Sequence, residues 1–274
     1  MTTTTTINSN KALWEKGDFT QIAETMRASG EALVRRVGVG PDLSVLDLGC
    51  GDGTTAIPAA LAGATVRGID IAANLVAAGR ARVERLGVTN CTFEEGDASN
   101  LVGLHDASFD LVLTVFGAMF APRPFETAAE MVRVVRPSGR IVMGNWIPGD
   151  PTLVAQILRI CGAYSPPPPP GFVSPVTWGV DDHVRERFGA AGIATERIVC
   201  ERDTFVFDFV GTPQAFVEVF RRYYGPTMNA FEAAGQRAEE LRAELDALFE
   251  AQDTSTIPGR TNIPATFLRV TVIR

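Results

Sequence analysis

A buried strand that runs at once into an acidic residue and a glycine-rich loop constrains this chain more than any other feature. The apolar run 44–48 predicts a parallel strand, and a helix is predicted over about 54–62. Between them lie three glycines at alternate positions: Gly49, Gly51 and Gly53. Glycines occur in this arrangement where the backbone approaches a ligand closely and adopts dihedral angles that a Cβ atom disfavours. Strand, glycine loop and helix together predict a nucleotide-binding loop.

The spacing of the loop and its acidic residues indicate which nucleotide it can bind. Dinucleotide enzymes use G-x-G-x-x-G and place a pyrophosphate at the helix N-terminus. This loop reads G-x-G-x-G instead, with Asp47 at its mouth and Asp52 inside it. Two carboxylates there would repel a diphosphate but suit a cationic amino group, and S-adenosylmethionine carries such a group. Asp70, after a second strand predicted over 65–69, stands where a ribose-binding acid is expected.

Five short motifs resemble, in order and spacing, those of the class I S-adenosylmethionine-dependent methyltransferases. They are 47–53 (DLGCGDG), 68–71 (GIDI), 95–98 (EGDA), 109–114 (FDLVLT) and 136–141 (RPSGRI). The segment 115–122 further resembles small-molecule methyltransferases of the ubiquinone/menaquinone C-methyltransferase group. The resemblance implies an α/β fold with a doubly wound, mostly parallel seven-stranded sheet. It also implies S-adenosylmethionine as cofactor and a small molecule as methyl acceptor.

The resemblance further implies which residues hold the cofactor. Asp70 corresponds to the acid that binds the ribose, and Asp97 with Ala98 corresponds to the pair that holds the edge of the adenine. The whole set of implied cofactor residues is Asp47, Gly49, Cys50, Gly51, Asp70, Ile71, Asp97, Ala98, Val115 and Phe116.

Methyl transfer from a sulfonium depends on in-line placement more than on acid–base groups, and positioning can contribute about 7–11 kcal/mol. A base is needed only for a protonated nucleophile, and the sequence offers no obvious one. The candidates for a catalytic role are His183, Tyr223 and Tyr224. Trp14 and Phe19 precede the first core helix and are expected to close over the cofactor. Residues expected to line the acceptor pocket are Phe19, Met119, Phe120, Trp146, Tyr223 and Tyr224.

The chain is predicted to comprise a methyltransferase core with additions at two places. Residues 41–212 form the core, and 256–274 supply its final strand. Residues 1–40 are expected to form a tail and helices that close over the cofactor. The segment 213–255 is strongly helical and lies between the last two predicted strands, so it is an insertion. We expect it to cap the carboxyl ends of the strands, where open α/β sheets bind ligands.

Composition narrows the classes of partner. The formal net charge of −7 argues against a nucleic-acid substrate. Four widely spaced cysteines and two histidines provide no zinc or iron–sulfur spacing, so no metal is expected. No apolar run has the length of a membrane span, and the first residues do not resemble a signal peptide. These features predict a cytoplasmic protein without membrane contact, either a monomer or a homodimer.

Two alternative functions stay open at the level of sequence. A protein that binds S-adenosylmethionine without catalysing transfer would share every cofactor motif. An NAD-dependent oxidoreductase is disfavoured by the loop spacing and by Asp47. The sequence does not indicate whether oxygen, nitrogen, sulfur or carbon accepts the methyl group.

Overall fold

One seven-stranded sheet organises the part of the chain that the structure describes, residues 11–274 of a computed structural model. The predicted tail before residue 11 lies outside the described residues. The strands are β1 (Ser44–Leu48), β2 (Thr65–Asp70), β3 (Cys91–Glu95), β4 (Phe109–Val115), β5 (Val135–Trp146), β6 (Ile198–Val210) and β7 (Arg260–Ile273). Their order is β3-β2-β1-β4-β5-β7-β6. The expected doubly wound, seven-stranded sheet is confirmed.

The order of the strands reverses at β1, which pairs in parallel with both β2 and β4. Val45, Leu46 and Leu48 of β1 are fully buried, as expected of a central parallel strand covered on both faces. Connections that leave β1 and β4 in opposite directions open a crevice at the carboxyl ends of these strands. The reversal therefore locates the ligand site of the fold.

Eleven α-helices occur in the described residues. They are α1 (Lys11–Glu15), α2 (Thr20–Glu24), α3 (Arg27–Val37), α4 (Ala56–Leu61), α5 (Ala73–Leu86), α6 (Pro124–Val134), α7 (Leu153–Tyr164), α8 (Asp181–Ala190), α9 (Pro213–Tyr223), α10 (Gly225–Ala234) and α11 (Ala238–Gln252). The helix after the glycine loop starts at Ala56 rather than at residue 54. Pro58 in the sequence favours such a late start, because proline is tolerated in the first turn of a helix and not in its interior. None of the described helices is long and apolar enough to cross a membrane.

Helices α9 to α11 lie between β6 and β7, and their apolar face is buried. Phe216 and Phe220 of α9 are 0% and 2% exposed. Their rings lie 5.4 and 5.2 Å from the ring of Phe249 in α11, and Phe220 also lies 6.1 Å from Phe207 of β6. The inserted helices therefore pack on the long antiparallel strands as well as on one another.

The last two strands, β6 and β7, pair with each other along the whole length of β6. The register runs from Ile198 opposite Val272 to Val210 opposite Arg260. Pro264 interrupts the alternating pattern of the sequence, and it lies opposite Val206. Val206 donates its N–H to Ser29 Oγ (2.8 Å), and its carbonyl accepts from the same hydroxyl (2.9 Å). Both backbone groups of Val206 are therefore paired although Pro264 has no N–H to donate, and the pairing of β6 with β7 continues past this position.

Candidate active site

A cavity opens at the carboxyl ends of β1, β2 and β4, where the order of the strands reverses. It holds about 940 Å³ of empty space, part of which is open to solvent. Eight of the ten implied cofactor residues line it: Gly49, Cys50, Gly51, Asp70, Ile71, Ala98, Val115 and Phe116. We call it the cofactor cavity. The structure thus brings these eight residues together from four separate segments of the chain.

The glycines of the loop differ in what surrounds them. Gly49 and Gly51 have φ angles of +70° and +54°, a region that favours glycine. A Cβ atom on Gly49 would lie 2.5 Å from the Cα atom of Gly117, so this glycine permits the loops after β1 and β4 to touch. A Cβ atom on Gly51 would meet no atom within 4 Å. Gly51 therefore presents bare backbone to the free space of the cavity, as a close-fitting ligand requires.

Asp70 links the second strand to the glycine loop. Its Oδ2 accepts the N–H of Gly51 (2.8 Å), and its Oδ1 accepts the N–H of Ala72 (2.9 Å). Burial raises the pKa of the Asp70 carboxyl above its ordinary value, and these N–H groups oppose that effect. Asp70 therefore shapes the loop and also borders the cavity.

Asp47 lies behind the cavity wall rather than in it. Its carboxyl is fully buried, and Oδ2 accepts the hydroxyl of Thr55 (2.7 Å), a residue of the cavity lining. Oδ1 has no hydrogen-bond partner among the described residues. Burial, followed by the charge of Asp70, raises the pKa of Asp47 to about 7. An unpaired acceptor at this position fits a ligand that carries positive charge or N–H donors.

Asp52 does not contribute the negative charge that the sequence suggested. Arg27 binds it through two contacts, one of which joins Nη1 to Oδ1 at 2.8 Å. Arg82 lies 3.6 Å from the same carboxylate. Two guanidinium groups therefore neutralise Asp52, and the acidic character of the cavity comes from Asp47 and Asp70. Sequence alone gave no indication of this pairing, because the arginines lie 25 and 30 residues away.

Asp97 lies outside the cavity lining, unlike its neighbour Ala98. Its Oδ1 accepts the backbone N–H (2.8 Å) and the hydroxyl (2.6 Å) of Ser99. Its Oδ2 lies 3.5 Å from Nη2 of Arg123. The Asp97 carboxylate therefore holds the turn after β3, and the wall at this point consists of Ala98 with Gly96.

Phe116 adopts a backbone conformation that is rare for a bulky residue. Its φ angle is +60°, and conformations of this kind cost about 1–3 kcal/mol and cluster at functional sites. Its N–H is held by the carbonyl of Gly144 (2.9 Å), and its ring is stacked on Trp146 with centroids 3.6 Å apart. These contacts hold the ring at the boundary between the cofactor cavity and a second cavity.

The second cavity adjoins the first and is lined largely by aromatic side chains. It holds about 340 Å³ of empty space, part of it open to solvent. Both cavities share Trp14, Phe19, Met26, Phe116 and Phe120. The remaining lining residues are Ile22, Trp146, Val154, Phe207, Phe220 and Tyr224. We call it the aromatic chamber.

The aromatic chamber includes only some of the residues expected around the acceptor. Phe19, Phe120, Trp146 and Tyr224 line it. Three others line neither cavity: Met119, Tyr223 and His183. Met119 is 2% exposed and belongs to the core. The side chain of His183 is 47% exposed on α8 and lies 3.6 Å from Glu186, which places it away from a water-excluding pocket.

Several cavity residues were not predicted from the sequence. Ala23 and Met26 come from the segment around α2, and Phe205 and Phe207 come from β6. The two phenylalanines are separated by one residue and therefore face the same side of the strand. That alternation was the available signal, but it does not show which cavity the face borders.

Comparisons with known proteins agree with this geometry. A family model described as a methyltransferase domain matches residues 46–143. The uncharacterized protein Rv1405c of Mycobacterium tuberculosis is 34% identical over 240 residues, covering 86% of this chain and 84% of that protein. Demethylmenaquinone methyltransferase of Bacillus cytotoxicus is 33% identical over 112 residues, covering 40% and 47% of the two chains. The chain is an S-adenosylmethionine-dependent methyltransferase.

The fold of this methyltransferase is shared with solved structures of low sequence identity. A phosphoethanolamine N-methyltransferase of Haemonchus contortus, solved with S-adenosylhomocysteine, superposes with a TM-score of 0.60 at 16% identity. The superposition covers 96% of this chain and 60% of that one. This superposition shows that the fold is shared. S-adenosylmethionine is the cofactor of this methyltransferase, and the match to a methyltransferase domain excludes the interpretation as an NAD-dependent oxidoreductase.

Proposed function

We propose that this methyltransferase transfers a methyl group to a small apolar or aromatic acceptor that binds in the aromatic chamber. The observation that carries the proposal is the lining of that chamber, which is built from aromatic rings and apolar side chains directly beside the cofactor cavity. Apolar pockets of this kind bind ligands mainly by burying their apolar surface. Phe116 and Phe120 border both cavities, so the reacting groups would meet beside these rings.

The cofactor residues are proposed to act as follows. The bare backbone at Gly51 makes room for the amino-acid tail, and the buried carboxyl of Asp47 favours its positive charge. Asp70 borders the cavity at the end of β2 and would accept the ribose hydroxyls. Ile71 and Ala98 would contact the adenine ring. When bound, S-adenosylmethionine supplies a methyl group on a sulfonium, which needs no further activation.

The chamber itself favours displacement without a general base. Tyr224 is 5% exposed, and burial raises the pKa of its hydroxyl above the ordinary value. The hydroxyl therefore stays protonated and is suited to donate a hydrogen bond to the acceptor rather than to remove a proton from it. The other rings of the chamber exclude water and hold the acceptor in line with the methyl group. Placement of the two reactants in this geometry is what accelerates the transfer. Such a pocket suits an acceptor whose attacking atom is nucleophilic without first losing a proton.

The two consecutive tyrosines provide a matched test. Tyr224→Ala removes a chamber wall, and we expect at least a tenfold loss of turnover or acceptor affinity, on the order of the cost of a lost buried aromatic contact. Tyr223→Ala removes a ring that lies outside both cavities, and we expect turnover close to that of the wild type. Acceptors are found by screening phenols, quinols, amines and thiols for S-adenosylhomocysteine release by mass spectrometry.

Binding of S-adenosylhomocysteine, measured by calorimetry, serves as the control for both variants. It should change little in Tyr224→Ala, because Tyr224 lines only the aromatic chamber. Equal losses of cofactor and acceptor affinity would instead make the chamber part of the cofactor site. A clear preference for highly charged acceptors in the screen would contradict the proposed substrate class.

A further inference from the structure

Unpartnered polar atoms are concentrated in one buried region that has no role in the proposed reaction. Eight buried side-chain nitrogen or oxygen atoms lack a hydrogen-bond partner among the described residues. Five of them belong to Asn145, Trp178 and Arg187: both amide atoms, the indole Nε1, and the guanidinium Nε and Nη1. These residues are 1%, 1% and 4% exposed. Buried donors without partners are rare in folded proteins, so this concentration requires a physical explanation.

Tertiary contacts place Arg187 beside Trp178 and pack the turn that carries Trp178 on β5, the strand that carries Asn145. Trp178 lies in the 3-10 turn Pro175–Gly179, where Gly179 packs so tightly on β5 that a Cβ atom would overlap the carbonyl oxygen of Trp146. Trp178 and Asn145 each lie one residue away from that contact. Arg187 has its guanidinium carbon 4.5 Å from the centre of the Trp178 ring.

Arg187 carries a buried charge that the protein does not neutralise. Its Nη2 donates to the hydroxyl of Thr177 (2.7 Å). Among residues 11–274 no ion pair within 4.0 Å joins it to a carboxylate. Burial lowers the pKa of Arg187, and the acidic side chain that opposes this effect, Glu186, is 62% exposed and lies beside His183. Arginine does not deprotonate in proteins, and a buried charge without a counter-ion is strongly disfavoured.

The ring of Trp178 stabilises part of this charge but leaves the donors unused. A cation over an aromatic face is attracted to the ring, yet the free Nε and Nη1 groups still lack acceptors. The nearby donors on Trp178 and Asn145 add indole and amide N–H groups to the same region. A buried positive charge with unpaired N–H donors, beside a residue that carries another unpaired N–H donor, is an arrangement that can bind a small anion.

We propose that Arg187, Trp178 and Asn145 form a buried site for a small monovalent anion, with chloride as the representative ligand. One arginine charge matches one negative charge, and exposures of 4% or less leave no open face for a larger ligand. The anion would accept hydrogen bonds from the guanidinium and the indole and would fix the Pro175–Gly179 turn against β5. This site is separate from the proposed methyl transfer and does not depend on it.

Thermal unfolding in two salts tests the proposal directly. Sodium chloride and sodium gluconate are compared at equal ionic strength, so that screening of surface charges is the same. Chloride at about ten times its Kd should raise the folding equilibrium constant about elevenfold. For a chain of this size we expect the melting temperature to be about 2–4 °C higher in chloride. Equal melting temperatures in the two salts would overturn the proposal.

Three variants assign the effect to the site. Arg187→Met should abolish the difference between the salts. Arg221→Met removes an arginine that also lies over a ring, 4.9 Å from the centre of Phe231, but is 44% exposed, and it should keep the difference. Trp178→Phe retains the ring and removes one donor, and we expect the apparent chloride affinity to fall about tenfold.

Diffraction from crystals grown in sodium bromide provides a second measurement that does not depend on the variants being stable. An anomalous peak within hydrogen-bond distance of Arg187 and Trp178 would support the site. Ordered water in the same place, without a bromide peak, would overturn it and assign the neutralisation of Arg187 to solvent and the Trp178 ring.

Discussion

Replacing single glycines by alanine separates ligand clearance from backbone packing in the loop after β1. Gly38, Gly49 and Gly51 have similar φ angles of +71°, +70° and +54°, so each alanine variant pays a similar strain of about 1–2 kcal/mol. The surroundings of the added methyl group differ. At Gly38, the C-cap of α3, and at Gly51 it would meet no atom within 4 Å. At Gly49 it would lie 2.5 Å from the Cα atom of Gly117.

These differences predict three distinct outcomes. Gly38→Ala should lose only the strain energy and should bind cofactor normally. Gly51→Ala should lose a similar amount of stability, but its methyl group would occupy space needed by the ligand. Overpacking costs about 1–3 kcal/mol, which corresponds to about 5- to 150-fold weaker binding. Gly49→Ala adds overpacking against backbone to the strain, and we expect its free energy of unfolding to fall by about 2–5 kcal/mol.

Urea unfolding measures the stability of the three variants, and calorimetric titration with S-adenosylhomocysteine measures their affinity. Wild-type affinity in Gly51→Ala would refute the inference that this backbone faces the cofactor. An equal loss of affinity in Gly38→Ala would show that the effect is global, since Gly38 lies outside the cofactor cavity. Similar stability of Gly49→Ala and Gly51→Ala would contradict the close contact between the loops after β1 and β4.

Two carboxyl groups give further predictions. Asp70→Asn keeps the shape but loses one acceptor for the N–H groups of Gly51 and Ala72, so we expect about 1–3 kcal/mol less stability and ten- to a hundredfold weaker S-adenosylhomocysteine binding. Unchanged affinity in calorimetry would place the ribose elsewhere. The pKa of Asp47 rises from 3.8 to about 7 on folding, so this group disfavours folding increasingly as the pH rises from about 4 to 7. The stability difference between pH 5 and pH 8, from urea unfolding without ligand, should therefore be smaller in Asp47→Asn. Cofactor affinity should rise between pH 6 and 8 in the wild type but not in this variant, and parallel pH profiles would contradict a role for the Asp47 charge.

The features that the sequence determined are those encoded by neighbouring residues. The strand Ser44–Leu48 follows from its apolar pattern, and the positive φ angles of Gly49 and Gly51 follow from the spacing of the glycines. The glycine loop with Asp70 predicted the cofactor for the same reason, because strand ends and tight turns are local properties. The late start of α4 is also encoded locally, by the proline in its first turn.

Tertiary structure decided which of the candidate residues meet. Asp52 is neutralised by Arg27, which is distant in sequence, and no local pattern encodes such a pair. Tyr223 and Tyr224 are adjacent at the end of α9, yet only Tyr224 lines the aromatic chamber. Which of two neighbouring side chains points inward depends on how the helix docks on β6 and α11. Docking is set by the burial of Phe216 and Phe220 against distant strands and helices. Contacts between elements that lie far apart in the chain cannot be predicted from local sequence patterns.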